Sequence, residues 1–147
     1  EVNDQNAVRM GGAAGHAGLF STGADLARFA RMWLNHGAID GRRVFTPAII
    51  DTFLSPGQGK GDRLLGWERP DPANRDDSAY GHMLSQSSYG HTGWTGTLMW
   101  IDPEKNLFLI LLTNRSYDPR VGRSIRALRN VRNALADEVV RVTQGSR

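Results

Sequence analysis

The first eighteen residues are polar and glycine-rich and show no apolar period, so they read as loop. A helical period begins directly afterwards. Leu26, Phe29, Ala30, Trp33 and Leu34 recur at three- and four-residue spacing and form one apolar stripe. Thr22 with Asp25 resembles a capping box, with Asp in place of Glu or Gln, and Gly37 stands where a C′ glycine belongs. The pattern predicts a helix from residue 23 to about 36. A second, shorter helix has Thr46 as N-cap and Pro47 as its first residue, where a missing N–H costs nothing. Ile50, Phe53 and Leu54 form its apolar side, and Pro56-Gly57 ends it.

"RLLGWE", residues 63–68, is a short strand candidate, and the polar stretch 69–88 predicts a long loop. Two stronger strand patterns, "TGTLMWID" and "NLFLILLTN", flank Pro103-Glu104-Lys105 and predict a hairpin. The run 107–112 is apolar without alternation, which predicts a central strand covered on both faces. Beyond Pro119, apolar residues recur every three or four positions: Val121, Ile125, Leu128, Val131, Leu135, Val139 and Val142. They predict one helix of about six turns, roughly 33 Å long at ~1.5 Å per residue, laid across the sheet.

A chain of 147 residues is long enough for one domain with a core. Its 18 basic against 15 acidic residues leave a net charge of +3, too little to argue for nucleic acid. The absence of cysteine excludes a disulfide framework and thiol chemistry and leaves the compartment open. No apolar run approaches the ~18 residues that span a bilayer. The N-terminal "EVNDQNAVRM" lacks the basic and apolar regions of a signal peptide, and also an initiator Met, so the chain reads as beginning in mid-protein.

Two His residues stand in the form GHxG, His16 and His91. The second opens "HTGWTG", whose composition suits acyl transfer. His91 can exchange a proton near neutral pH, and Thr92 can orient a carbonyl or carboxylate. Gly93 and Gly96 allow close approach, and a backbone N–H beside such a glycine can hold an oxyanion. Read alone, His91 could equally bridge a turn.

"GHTGWTGTLMWIDPEKNLFLILLTNR", with "GHAGLFSTGADLARFARMWLNHG" before it and "RLLGW" between, resembles the serine β-lactamase-like hydrolases. The nearest branch is the class C β-lactamase, penicillin-binding protein and esterase group, and the resemblance runs from about Gly11 to Val139. It implies that His91, Thr92 and Gly93 form the triplet that opens a strand beside the active site. It implies that the Trp94 N–H is one oxyanion donor, with the nucleophilic serine's own N–H as the other. His91 would assist proton transfer or polarise the substrate, and Thr92 would touch its carbonyl or carboxylate. A His is less fully charged than Lys at pH 7, which tilts the expected substrate toward neutral esters or amides. Tyr89 is expected at the cleft mouth. His16 and Gly18 would be structural, at the entry of the first long helix.

The family's two other motifs are missing. No Ser has Lys three residues on, the spacing that lets Lys take the serine's proton, and no Tyr has Asn two residues on. Both motifs lie upstream of the matched region in the family. The fold expected is therefore α+β and β-lactamase/transpeptidase-like, incomplete relative to the full family fold. An antiparallel sheet packed by a long C-terminal helix would span about residues 63–147, and a small helical part about 19–55. An open strand edge would then favour dimerisation, strand exchange or a missing N-terminal segment of the same protein. The function implied is the C-terminal part of a serine hydrolase acting by an acyl-enzyme on an ester, β-lactam or D-amino-acid peptide, the isolated chain being inactive. The alternative is a non-catalytic binding module for peptidoglycan-like or peptide ligands. No cofactor is expected, nor a metal, because His16, His36, His82 and His91 show no ligand spacing. Arg120, Arg123, Arg126, Arg129 and Arg132 read as a solvated helix face rather than a nucleic-acid surface. Trp33, Trp67 and Trp100 read as core or groove-wall residues.

Overall fold

The computed structural model describes residues 2–57, 63–73, 78–117 and 124–145. The chain begins with a short helix, α1 (Gln5–Arg9), where loop was expected; Asp4 caps it, its carboxylate accepting from Ala7 N–H at 2.8 Å. Helix α2 (Gly23–Leu34) carries the expected stripe and is capped by Thr22, which accepts from Asp25 N–H. Its end differs by one position. The Gly37 N–H bonds Met32 C=O and the His36 N–H bonds Trp33 C=O, so His36, at φ 48°, is the left-handed C′ residue and Gly37 follows it.

A two-residue hairpin then joins β1 (Ala38–Ile39) to β2 (Arg42–Arg43) through Asp40 and Gly41, both at positive φ. Helix α3 (Pro47–Leu54) starts at its Thr46 cap and Pro47 as anticipated. The main sheet comprises β3 (Tyr89–Thr92), β4 (Leu98–Asp102) and β5 (Leu107–Leu111), antiparallel in the order β3-β4-β5. Among the described residues β5 is thus an edge strand, not a central one. Its lack of alternation reports covered faces, and the lateral neighbour is a separate matter. The "RLLGWE" segment makes only single bridges, Arg63 to Glu68 and Glu68 to Gly90, rather than a strand.

Two cores lie on opposite faces of this sheet. Trp33, Met32 and Ala30 of α2 pack with Ile50, Leu64, Trp67, Tyr89 and Ile101 on one side. On the other, α4 (Ile125–Gln144) brings Ala136 and Val140 onto Leu98, Trp100 and Leu109. At ~1.5 Å per residue α4 is about 30 Å long; Val121 and Arg123 lie outside the described residues. Its buried face is rotated from the expected stripe: Arg132, Ala136 and Val140 are buried, while Val131 and Val142 are exposed.

The stretch after residue 78, expected as loop, is held from a distance. Trp100 donates its indole N–H to Ala79 C=O at 3.0 Å, and the Tyr80 ring meets Trp100 edge-on at 5.3 Å. Asp137 on α4 accepts from the His82 and Met83 amides. The hairpin loop has four residues, with Asn106 left-handed, and the fully buried Asp102 carboxylate accepts from Ser85 and Lys105 N–H.

Candidate active site

Strand β3 delivers the His-Thr-Gly triplet to a tight turn, residues 93–97. Gly93 N–H bonds Thr97 C=O at 2.8 Å and Gly96 N–H bonds Gly93 C=O at 3.1 Å. Glycine is required at position 96: φ is +115° and a Cβ there would sit 2.1 Å from Thr113 Oγ1. The turn's carbonyls are all claimed. Arg132, only 3% exposed, donates to Gly93 C=O at 2.9 Å, Thr97 C=O at 2.9 Å and Gly96 C=O at 3.3 Å. Arg115 donates Nε–H to Trp94 C=O and its backbone N–H to Thr95 C=O, each at 2.7 Å, and its guanidinium stacks 4.2 Å from the centre of the Trp94 ring. Burial first, and the Arg115 charge second, pull the Arg132 pKa below the usual arginine value. Among the described residues the Trp94 and Thr95 N–H groups have no hydrogen-bond acceptor.

Gly93, Trp94, Thr95 and Thr97 form one side of an open groove of about 750 Å³. Its other side is the N-terminal arch, including Asn3, Asp4, His16 and Gly18. The first GHxG segment and the turn that begins at the last glycine of the second, far apart in sequence, therefore meet across one groove. His16 Nε2 lies 3.0 Å from Asp4 Oδ1, and the Ala7 N–H followed by His16 holds the Asp4 carboxyl below the usual carboxylate range. Gly18, at φ +119°, crosses so close to Gly12 that a Cβ would stand 2.5 Å from its carbonyl oxygen. Both residues shape the arch, and both also line the groove.

His91 and Thr92 sit just outside this lining, at the end of β3. The half-exposed His91 has Nδ1 3.0 Å from Thr92 O and Nε2 4.0 Å from Glu68 Oε1. Tyr89 is placed elsewhere: it is buried under α2, edge-on to Trp67 at 5.5 Å and Trp33 at 6.1 Å. It lies on the same face of β3 as His91 but two residues further back, under α2, and burial raises its phenol pKa above the ordinary value. It lines a separate hollow of about 310 Å³ with Trp33, Ile50 and Leu64. The residue that sequence reasoning missed is Arg132. Its signal was position, since it falls four residues after Leu128 and four before Ala136, inside the apolar stripe.

A family model described as Beta-lactamase matches residues 1–133. The chain belongs to the beta-lactamase family. An N-acetylmuramyl-L-alanine amidase from Bacillus subtilis (strain 168) is 39% identical over 120 residues, which is 81% of this chain and 27% of that protein. A protein from Escherichia coli (strain K12), provisionally named a D-alanyl-D-alanine carboxypeptidase, is 34% identical over the same shares. The crystal structure of a beta-lactamase from Mycobacterium bovis matches with a TM-score of 0.60 and 27% identity, over 86% of this chain and 46% of that one. That of a penicillin-binding protein homologue from Caulobacter crescentus shares the fold, with a TM-score of 0.51 at 24% identity over 76% and 30%. This beta-lactamase-family chain thus has the mixed helix and antiparallel-sheet fold of serine hydrolases, and spans about a quarter of the length of the curated relatives it matches, 27%.

Proposed function

We propose that this chain supplies the oxyanion-holding side of a serine hydrolase that cleaves an amide of a cell-wall-type peptide through an acyl-enzyme. The observation that carries the reading is the 93–97 turn, whose Trp94 N–H is unclaimed and borders the groove. A serine from the part of the protein preceding this chain would attack the scissile carbonyl, passing its proton to a neighbouring base. The tetrahedral oxyanion would be held by Trp94 N–H and the serine's own N–H. Collapse breaks the C–N bond, the leaving amine takes the proton, and water then releases the acyl group. His91 would serve proton transfer from the end of β3, and Thr92 and Gly93 would border the bound carbonyl. The amide substrate is favoured by the names of the relatives and by a His rather than a permanent cation at position 91. The free side of β5 would pair with that preceding part or with a second copy of this chain.

A fluorescent serine-reactive probe tests this on two proteins, the 147-residue chain and a longer one including the preceding serine-bearing segment. Labelling is expected only of the longer protein. Labelling of the short chain, or none of either, would refute it; the latter outcome leaves the binding-module reading.

A further inference from the structure

Resting on the reading of Trp94 as an oxyanion donor, we propose that Arg132 is a positioning residue: its buried guanidinium fixes the peptide plane that aims the Trp94 N–H at the groove.

In a trans peptide, the carbonyl of one residue and the N–H of the next point in opposite directions. The Trp94 N–H therefore shares a plane with Gly93 C=O, which Arg132 Nη2 holds at 2.9 Å. The Thr95 N–H shares a plane with Trp94 C=O, which Arg115 Nε holds at 2.7 Å. Flipping either plane would remove a carbonyl from a guanidinium and turn it into the groove, where an oxyanion would meet a partial negative charge. Glycine at position 93 gives that segment no side-chain barrier to flipping. The arginines supply the barrier instead, and add positive charge behind the turn.

Arg132 is suited to this by its surroundings. It is 3% exposed, and its helix neighbours Ala136 and Val140 pack as core. A cation buried there requires partners, and it meets three carbonyls of one turn, 35 to 39 residues earlier in the chain. A lysine ammonium is compact and lacks the planar fork that spans those three oxygens. The bonds also lock α4 to the turn rather than to the adjoining strands.

The test is amide hydrogen exchange by NMR on the isotopically labelled chain, comparing it with Arg132→Met and Arg132→Lys. The reporters are the Gly93 and Gly96 amides, both bonded within the turn, and the Arg115 amide, bonded to Thr95 C=O. The references are Trp100 and Ile101 in β4, paired on both sides. Arg132→Met is expected to speed the reporters at least about tenfold relative to the references, with Arg132→Lys in between. Val140→Ala, which weakens the α4 core without touching the turn, should speed reporters and references alike. If Arg132→Met does not fold, Arg132→Lys decides alone by the same ratio. Unchanged reporters, or reporters and references accelerated by one common factor, would overturn the proposal. The result is independent of probe labelling: a clamp seen by exchange in a protein that never labels removes the catalytic reading and leaves the clamp.

Discussion

Replacing Gly96 by Ala perturbs the turn at its most constrained point, and the cost can be resolved into two parts. Gly96 has φ +115°, a conformation that costs a residue with a Cβ about 1–3 kcal/mol. The added Cβ would also stand 2.1 Å from Thr113 Oγ1, although only 3.4 Å from Thr113 Cβ and Leu128 Cδ1. Overpacking of that kind costs about 1–3 kcal/mol more. Gly96→Ala is thus expected to lose roughly 2–6 kcal/mol, a large fraction of the ~5–15 kcal/mol typical of a domain. Thr113→Ala removes the oxygen but leaves φ unaltered. Thr113 is exposed, so alone it should change stability by no more than about 0.5 kcal/mol. The double variant should recover the overpacking share and retain the backbone share, a coupling of about 1–3 kcal/mol. Urea unfolding followed by tryptophan fluorescence gives all four free energies from midpoints and slopes. Additive single-variant effects would refute the assignment of the cost to Thr113, and a Gly96→Ala loss below about 1 kcal/mol would refute both parts.

Three further outcomes are expected. Asp102→Ala strands the buried Ser85 amide and the partly buried Lys105 amide and should cost about 2–5 kcal/mol in the same unfolding assay; a near-neutral result would mean that other acceptors replace the carboxylate. The Tyr89 phenol, raised by burial, ionises in the unfolded chain first, so its contribution is complete below the ordinary value of 10.0 and is lost as pH rises above it. Tyr89→Phe should therefore flatten the alkaline fall of the urea midpoint, and an unaltered alkaline limb contradicts the burial. The Asp4 carboxyl, lowered by its bonds to Ala7 N–H and His16, contributes fully above 3.8 and less as pH falls through its lower folded value; the Ala7 amide is therefore expected to exchange faster in acid, Asp4→Ala should abolish that acid dependence, and its persistence in the variant would assign it elsewhere.

What could be read from the sequence was local in origin. The stripe of α2, the Thr46-Pro47 start of α3 and the β4–β5 hairpin all follow from spacing and turn residues within about a dozen positions. Asp40-Gly41 carried an equally local hairpin signal that apolar periodicity alone passes over. The order of residues 78–88 had no such signature, because Asn133 and Asp137 hold that backbone from more than fifty residues away. Lateral order in the sheet was likewise illegible: apolar runs reveal covered faces, and hydrogen-bonding neighbours leave no mark on side-chain chemistry. For the candidate site, the turn was legible as "HTGWTG", whereas its pairing with the His16 arch and its fastening by Arg132 depend on tertiary packing. A period of three among the arginines suggested a solvated face. It drifts around a 3.6-residue helix, so one member had to meet the sheet side.

The groove's two sides are fastened in different ways, and this bears on how such a site can work. The turn is bonded to α4 by a buried guanidinium and to the segment after β5 by Arg115, so moving it means disturbing the core under α4. The arch is held by the partly exposed Asp4–His16 pair and by the close crossing of Gly18 over Gly12, contacts within its own eighteen residues. Opening the arch breaks few buried apolar contacts, and regions of that kind open at low free-energy cost. Oxyanion stabilisation depends on donors that need no rearrangement when charge develops, whereas accommodating a substrate does not. The rigid side is the one bearing the Trp94 amide, and the adaptable side is the one bearing His16, Asn3 and Asp4. On the proposed function, substitutions in the arch should therefore alter the substrate preference of the serine-bearing protein, and substitutions in the turn its rate.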